Sequence, residues 1–203
     1  MRAKDGSAMR KASVARETKE TAVAVEIGLD GSGQASVATG LPFMDHMLGA
    51  LARHGHVDLA IQARGDLDVD AHHTMEDVGL VFGQALREAL GERQGIRRFG
   101  ASHVPMDEAL ARVVIDISGR PCLVYNVRTD ASEAGGMHVR LFREFFQALV
   151  NTSGLTVHID LLAGAEVHHC LEAVFKAFGR ALAEAAAVDP RHPGVPSTKG
   201  RLD

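Results

Sequence analysis

The chain is poor in cysteine and in long apolar runs, and each shortage excludes a class of protein. Two cysteines among 203 residues, Cys122 and Cys170, cannot build a disulfide framework and favour a reduced, cytoplasmic setting. No apolar run approaches the ~20 residues needed to span a bilayer. Residues 1–11 are basic and polar and lack the apolar core of a secretory signal, so we expect a mobile tail there.

Aromatic residues and positive charge are also scarce. The chain has no tryptophan and one tyrosine, which leaves no stacking platform for single-stranded nucleic acid. Its net charge of −4 does not provide the basic face that general nucleic-acid binding requires. We therefore expect neither a nucleic acid nor a membrane as partner.

Histidine is what the chain has in excess, with eleven residues, and its arrangement is the strongest signal. The motif His72-His73-Thr74-Met75-Glu76 returns 96 residues later as His168-His169-Cys170-Leu171-Glu172. Imidazole nitrogens and carboxylates are ligands of divalent transition metals. On a helix, residues i and i+4 share one face, whereas residue i+1 is rotated by about 100°. The repeat predicts two metal ions, with His72 and Glu76 on one and His168 and Glu172 on the other.

The repeat extends to the flanking elements and predicts an internally duplicated α+β fold. Each motif begins an amphipathic helix and follows an alternating strand, residues 57–61 and 155–159, which itself follows an apolar helix, residues 43–51 and 141–150. Each half also contains two strands joined by turn residues, which we interpret as a hairpin: 22–29 with 34–39, and 109–117 with 122–127. We expect two sheets with the helices packed between them.

The predicted organisation is a tail at 1–11, halves at 12–95 and 96–188, and a C-terminal tail at 189–203. Residues 91–100 are interpreted as a short joining loop between the halves.

Overlaying the halves adds a ligand. His46 in the first upstream helix falls opposite Arg143-Glu144 in the second, so Glu144 is the symmetry-related candidate. The predicted sets are His46, His73, His168 and Glu172 for one ion, and His72, Glu76, Glu144 and His169 for the other. Spacing leaves open whether each set comes from one chain or from neighbouring chains.

Cationic residues suggest a phosphorylated small molecule, because Arg forks and Lys ammonium groups bind phosphate monoesters. The candidates are Arg97, Arg98, Arg120, Lys176, Ser197, Thr198 and Lys199. Glu20 and Asp107-Glu108 stand at the entrances of corresponding strands and could act as general acids or bases.

These motifs resemble the imidazoleglycerol-phosphate dehydratase family over residues 16–200. The resemblance is carried by residues 41–48, 70–77, 95–100, 107–109, 118–121, 145–149, 168–172, 175–177 and 196–200.

The resemblance implies dehydration of imidazole glycerol phosphate to imidazole acetol phosphate, in histidine biosynthesis, with two manganese ions that bind the substrate ring as an imidazolate. It implies a hollow particle of twenty-four subunits with metals between them. By position, the implied metal ligands are His46, His72, His73, Glu76, His168, His169 and Glu172, with Glu144 and His138 competing for one further place. The implied phosphate pocket is Arg98, Arg120, Lys176, Ser197 and Lys199, and Glu20 is the implied substrate-contacting carboxylate.

The function class and the identity of the catalytic base stay open at this point. A dinuclear metal-dependent phosphoester hydrolase is the enzymatic alternative, and metal storage or metal-triggered assembly is the non-catalytic one. The catalytic base could be Glu20, Glu76, Glu172 or Asp107.

Overall fold

The computed structural model describes residues 9–202, which form two four-stranded sheets with four helices between them. The first half comprises β1 (Lys11–Glu17), β2 (Thr21–Gly28), β3 (Ala35–Ala38), α1 (Pro42–Gly55), β4 (Asp58–Gly65) and α2 (His72–Leu90). The second half comprises β5 (Phe99–Met106), β6 (Ala109–Asp116), β7 (Cys122–Asn126), β8 (Glu133–Ala134), β9 (Met137–His138), α3 (Arg140–Ser153), β10 (Thr156–Ala163) and α4 (Val167–Ala186). Most of the predicted N-terminal tail, residues 1–8, lies outside the described residues, and Lys11 already belongs to β1.

Strand order confirms the predicted duplication. The sheets run β1-β2-β4-β3 and β5-β6-β10-β7, so each strand has a counterpart at the same place in the other half. In each sheet the last strand of the half pairs antiparallel on one side and parallel on the other. Only the short β8–β9 pair has no counterpart among the described elements.

The predicted hairpins are wrong in their pairing. β2 and β3 are separated by β4, and β6 and β7 are separated by β10; the hairpins are β1–β2 and β5–β6 instead. Turn residues predict only that the chain reverses. Eight-residue β4 can pair along all of eight-residue β2, whereas β3 has four residues and is suited to an edge.

Two strands of the four-stranded sheets were missed, because their apolar alternation is weak, and the short β8–β9 pair was also not predicted. β1 buries only Val14, and the buried side of β5 carries Gly100, Ser102 and Val104. The predicted joining loop at 91–100 therefore ends earlier than expected, since β5 begins at Phe99. Because β1 pairs with β2 and β5 with β6, Glu20 and Asp107-Glu108 lie in hairpin turns between paired strands.

The helices form the middle of the molecule, with α2 packed on α3 and α1 on α4. Glycine allows close approach in both pairs: a Cβ on Gly55 would stand 2.9 Å from the Gly179 carbonyl oxygen. Phenylalanines fill the space around α3 and α4, and Phe146 packs 5.3 Å from Phe178 between ring centroids. None of the helices within residues 9–202 has the length and apolar character needed to cross a bilayer.

Asp58 stabilises the connection between β2 and β3. Its Oδ1 accepts backbone N–H bonds from Ser32, Gly33 and Gln34 at 2.9, 3.1 and 3.0 Å. These bonds, those from Gln34 and Ser32 first, hold the pKa of Asp58 below its ordinary 3.8. A carboxylate with a lowered folded-state pKa stabilises the fold above its unfolded value and loses that contribution as the pH falls through the folded value.

We therefore expect Asp58→Ala to lower the free energy of unfolding by about 2 kcal/mol at neutral pH, since three charge-assisted bonds are lost. Urea unfolding at pH 6 and pH 3 would measure the effect. The difference between the variant and the wild type should shrink at the lower pH. An equal difference at both pH values would contradict the role of the Asp58 charge.

Candidate metal centre and anion-binding loop

Both histidine pairs lie at helix starts, as the spacing predicted. The backbone N–H of His72 donates to Asp70 Oδ1 at 2.7 Å at the start of α2. The backbone N–H of His169 donates to Glu166 Oε2 at 2.8 Å at the start of α4. An acidic side chain that accepts the unpaired N–H groups of a first turn stabilises a helix N-terminus.

Three predicted ligands, contributed by both halves, converge at the start of α4. His46 of α1 and His168 and Glu172 of α4 place their ligand atoms within 4.8 Å of one another. Glu172 Oε2 lies 3.2 Å from His46 Nε2 and 3.1 Å from His168 Nε2. Within residues 9–202 this is the only group of three such side chains. Two imidazoles and a carboxylate fit a divalent transition ion.

Glu172 is the buried member of this cluster and is held as a carboxylate. Its other oxygen, Oε1, lies 2.6 Å from Lys176 Nζ, one turn further along α4. Burial raises the pKa of Glu172, but the hydrogen bonds from Lys176 and His46 outweigh burial and bring the pKa to about 2. The cluster therefore offers a negative charge at neutral pH.

The first-half motif is more open. His72 Nε2 lies 4.0 Å from Glu76 Oε2, across one helical turn. His73 is turned away from that pair: its Nδ1 lies 3.0 Å from Asp66 Oδ2 and 3.8 Å from Glu20 Oε2. The hydrogen bond with Asp66 raises the pKa of His73.

His169 has an equivalent arrangement. Its Nδ1 lies 2.9 Å from Glu108 Oε2, and its Nε2 lies 3.8 Å from Asp107 Oδ2. The hydrogen bond with Glu108 raises the pKa of His169, and the same bond lowers the pKa of Glu108 to about 2. Each histidine pair thus divides between two neighbourhoods, as the helical spacing predicted.

Glu144 and His138, which compete for one ligand position, both lie apart from these groups. Glu144 Oε1 accepts a long hydrogen bond of 3.5 Å from Arg143, its neighbour on α3. His138 Nδ1 accepts the backbone N–H of Arg140 at 3.2 Å. Neither residue is within a three-ligand group of the described chain.

The predicted phosphate residues are only partly brought together. Arg98 donates from Nε and Nη2 to Asp116 at 2.7 and 3.1 Å, and from Nη1 to the Pro196 carbonyl at 2.9 Å. With Ser197 and Thr198 it lines an open depression of about 560 Å³. Arg98 therefore fixes the C-terminal loop and keeps N–H donors on Nη1 and Nη2 for a further oxygen.

The other cationic candidates make different contacts. Lys176 pairs with Glu172 beside His46 and His168, and Arg97 lies 3.7 Å from Glu184. The backbone carbonyl of Arg120 accepts a bond from Thr156 Oγ1 at 2.9 Å. Lys199 is exposed, and its backbone N–H donates to Ser197 Oγ at 3.2 Å.

Sequence reasoning missed Asp66 and Glu166, and it considered Glu108 only as a possible general acid or base together with Asp107. Asp66 follows a strand without any local motif, and Glu166 is recognisable only as an acidic residue before a helix. The duplication indicated that Glu108 corresponds to Glu20, but the contact of Glu108 with His169 joins a strand turn to a distant helix start and leaves no local pattern.

Comparison with known proteins matches this chain to one family. The family model described as imidazoleglycerol-phosphate dehydratase matches residues 39–182. Curated proteins of that name from Geobacter metallireducens and Hahella chejuensis are 54% and 57% identical to it. The alignments cover 95% and 96% of this chain and 99% and 100% of those relatives.

Two solved structures give the same result at the level of the fold. A crystal structure of imidazoleglycerol-phosphate dehydratase from Staphylococcus aureus superposes with a TM-score of 0.79 at 39% identity, over 88% of this chain and 99% of that one. A crystal structure from Pyrococcus furiosus, in complex with (S)-C348, gives a TM-score of 0.81 at 39% identity, over 93% and 100%.

Proposed function

Because this chain belongs to the imidazoleglycerol-phosphate dehydratase family, we propose that it dehydrates imidazole glycerol phosphate to imidazole acetol phosphate with the help of two manganese ions. Members of the family are hydro-lyases of histidine biosynthesis, and this chain is one of them.

The observation that carries the proposal is the convergence of His46, His168 and Glu172 within 4.8 Å. These side chains would hold one ion, and His72 and Glu76 would provide part of the second site. A bound divalent ion supplies Lewis-acid stabilisation of negative charge on a nearby substrate. Lys176 keeps Glu172 ionised and orients its carboxylate toward the two imidazoles.

The remaining ligands support a homo-oligomer. His73 lies with Asp66 and Glu20, and His169 lies with Glu108 and Asp107, so neither joins a three-ligand group of its own chain. We propose that neighbouring copies complete the sets: His73 joins His46, His168 and Glu172, while Glu144 and His169 join His72 and Glu76. A particle of twenty-four subunits follows by family resemblance.

Phosphate would bind where Arg98 holds the C-terminal loop. The loop offers the Ser197 and Thr198 hydroxyls and the Lys199 ammonium group, and Arg120 and Lys176 would add charge from elsewhere in the assembly. Glu20 would contact the substrate and move protons, since its side chain is 59% exposed beside His73. Glu76, Glu172 and Asp107 remain candidates for the base.

The test is to incubate the protein with imidazole glycerol phosphate, with and without manganese. A keto product that retains its phosphate, formed only with manganese, is expected. Release of inorganic phosphate would overturn the proposal in favour of a hydrolase.

A companion variant separates catalysis from metal storage. Arg98→Met should lose turnover while its manganese stoichiometry stays at the wild-type value, because Arg98 is not in the metal cluster. Undiminished turnover by this variant would contradict the proposed phosphate site.

A further inference from the structure

The second histidine of each pair is held by a carboxylate at the same ring nitrogen. Nδ1 of His73 lies 3.0 Å from Asp66, and Nδ1 of His169 lies 2.9 Å from Glu108. A neutral imidazole carries a single N–H, so a proton fixed on Nδ1 leaves the lone pair on Nε2. In metalloproteins such a carboxylate fixes the tautomer and orientation of the ligating ring.

The two carboxylates come from different places in the duplicated halves. Glu108 is the last residue before β6, and its counterpart before β2 is Glu20. Asp66 directly follows β4, and its counterpart after β10 is Ala165, because a register shift between Leu161 and Ala163 adds one residue to β10. The two halves therefore hold the second histidine of each pair with carboxylates from positions that are not symmetry-related.

The residue at that position explains the difference. Ala165 has only a methyl side chain and cannot hold a ring nitrogen of His169. The second half takes its carboxylate from the hairpin turn instead. Glu108 is fixed there by backbone N–H bonds from Ala165 and Glu166 at 3.3 and 2.9 Å.

In the first half the carboxylate of the hairpin turn, Glu20, does not hold the histidine. Asp66 occupies His73 Nδ1, and Glu20 stays 3.8 Å away, beyond hydrogen-bonding distance. The side chain of Glu20 is 59% exposed, against 42% for Glu108. Glu20 and Glu108 occupy equivalent positions and yet have different contacts.

We infer that Asp66 and Glu108 are positioning residues that, first, fix the proton of His73 and His169 on Nδ1 and, second, thereby direct Nε2 of each ring toward a metal ion, a task that Glu20 does not share. The second part rests on the proposed function. The first part is a property of the metal-free protein.

The first part is tested by long-range ¹H–¹⁵N correlation of histidine rings in metal-free, ¹⁵N-labelled protein, at a pH well above the pKa of histidine. His73 and His169 should carry the proton on Nδ1 in the wild type. Asp66→Ala should change the tautomer of His73 alone, and Glu108→Ala that of His169 alone. Glu20→Ala is the matched control and should change neither.

Glu108→Gln controls for a folding defect in Glu108→Ala. The glutamine amide oxygen can still accept the hydrogen bond from Nδ1 of His169, so this variant should preserve much of the wild-type tautomer. Wild-type rings protonated on Nε2, or rings indifferent to both alanine variants, would overturn the inference.

The second part is tested by manganese titration, with free Mn²⁺ followed by electron paramagnetic resonance. Asp66→Ala and Glu108→Ala should each weaken manganese binding about 10- to 100-fold. Glu20→Ala should keep the wild-type affinity and lower kcat by about 10²- to 10⁴-fold. Equal weakening of manganese binding by Glu20→Ala and Glu108→Ala would refute the division of roles. Absence of manganese binding by the wild type would instead refute the proposed metal site and leave the tautomer result standing.

Discussion

Replacing Glu172 by glutamine is expected to abolish manganese binding at the His46–His168 cluster and to reduce turnover about a thousandfold or more. The carboxylate faces both imidazoles through Oε2, at 3.2 and 3.1 Å, and Lys176 through Oε1 at 2.6 Å. An uncharged amide has one oxygen and cannot serve both sides, so its NH₂ group must face either the ammonium or the metal. Lewis-acid stabilisation is worth several kcal/mol, and each 1.36 kcal/mol corresponds to a tenfold change in rate.

The measurements are manganese stoichiometry by equilibrium dialysis and kcat with saturating manganese. Glu184→Gln is the matched control, because Glu184 lies on the same helix and contacts Arg97 and the Ala101 N–H instead of the cluster. Wild-type stoichiometry and rate in Glu172→Gln would refute the assignment of this cluster as a metal site.

Gly83→Ala is expected to destabilise the protein, lowering its free energy of unfolding by about 3 kcal/mol. A Cβ at this position of α2 would overlap the Leu149 carbonyl oxygen and Thr152 Oγ1 and lie 3.0 Å from the Leu149 carbonyl carbon. Most of these neighbours are backbone atoms of α3, so α2 and α3 would have to separate. The Thr152 hydroxyl also donates to the Leu80 carbonyl at 2.8 Å, and the separation would break that bond.

Gly49→Ala provides the control for this prediction. Gly49 lies within α1, and a Cβ there would have no neighbour within 4 Å. Alanine should therefore stabilise the protein by about 0.5–1 kcal/mol, since it loses less conformational entropy in a helix. Chemical denaturation of both variants measures the contrast. Similar stabilities for the two would show that close approach of α2 and α3 is not what requires Gly83.

The helices and the strands next to them could be predicted from sequence, because their apolar residues recur at a regular period. The helix predicted at 141–150 lies within α3, and the strand predicted at 155–159 overlaps β10. β1 and β5 were missed because an edge strand needs few apolar residues. Because β1 and β5 were not predicted, β2 was paired with β3 and β6 with β7, whereas the hairpins are β1–β2 and β5–β6.

The site residues also divide into those that sequence could predict and those that only the structure revealed. Spacing was sufficient to predict that His168 and Glu172 are adjacent on one face of α4, and that each histidine of a pair points away from its neighbour. The contact of His46 with that pair depends on how α1 packs on α4. Asp66 and Glu108 meet their histidines across strand ends and turns, where no local period exists.

The sequence by itself determined the duplication, the α+β class and the residue types available for metal and phosphate, because periodicity and repeated motifs are local properties of the chain. The tertiary structure alone decided which strands pair, which three ligands converge, and that Asp66 rather than Glu20 holds His73. Those outcomes depend on packing and strand pairing between distant segments, such as the register shift of β10 against β6, and a linear pattern carries no record of them.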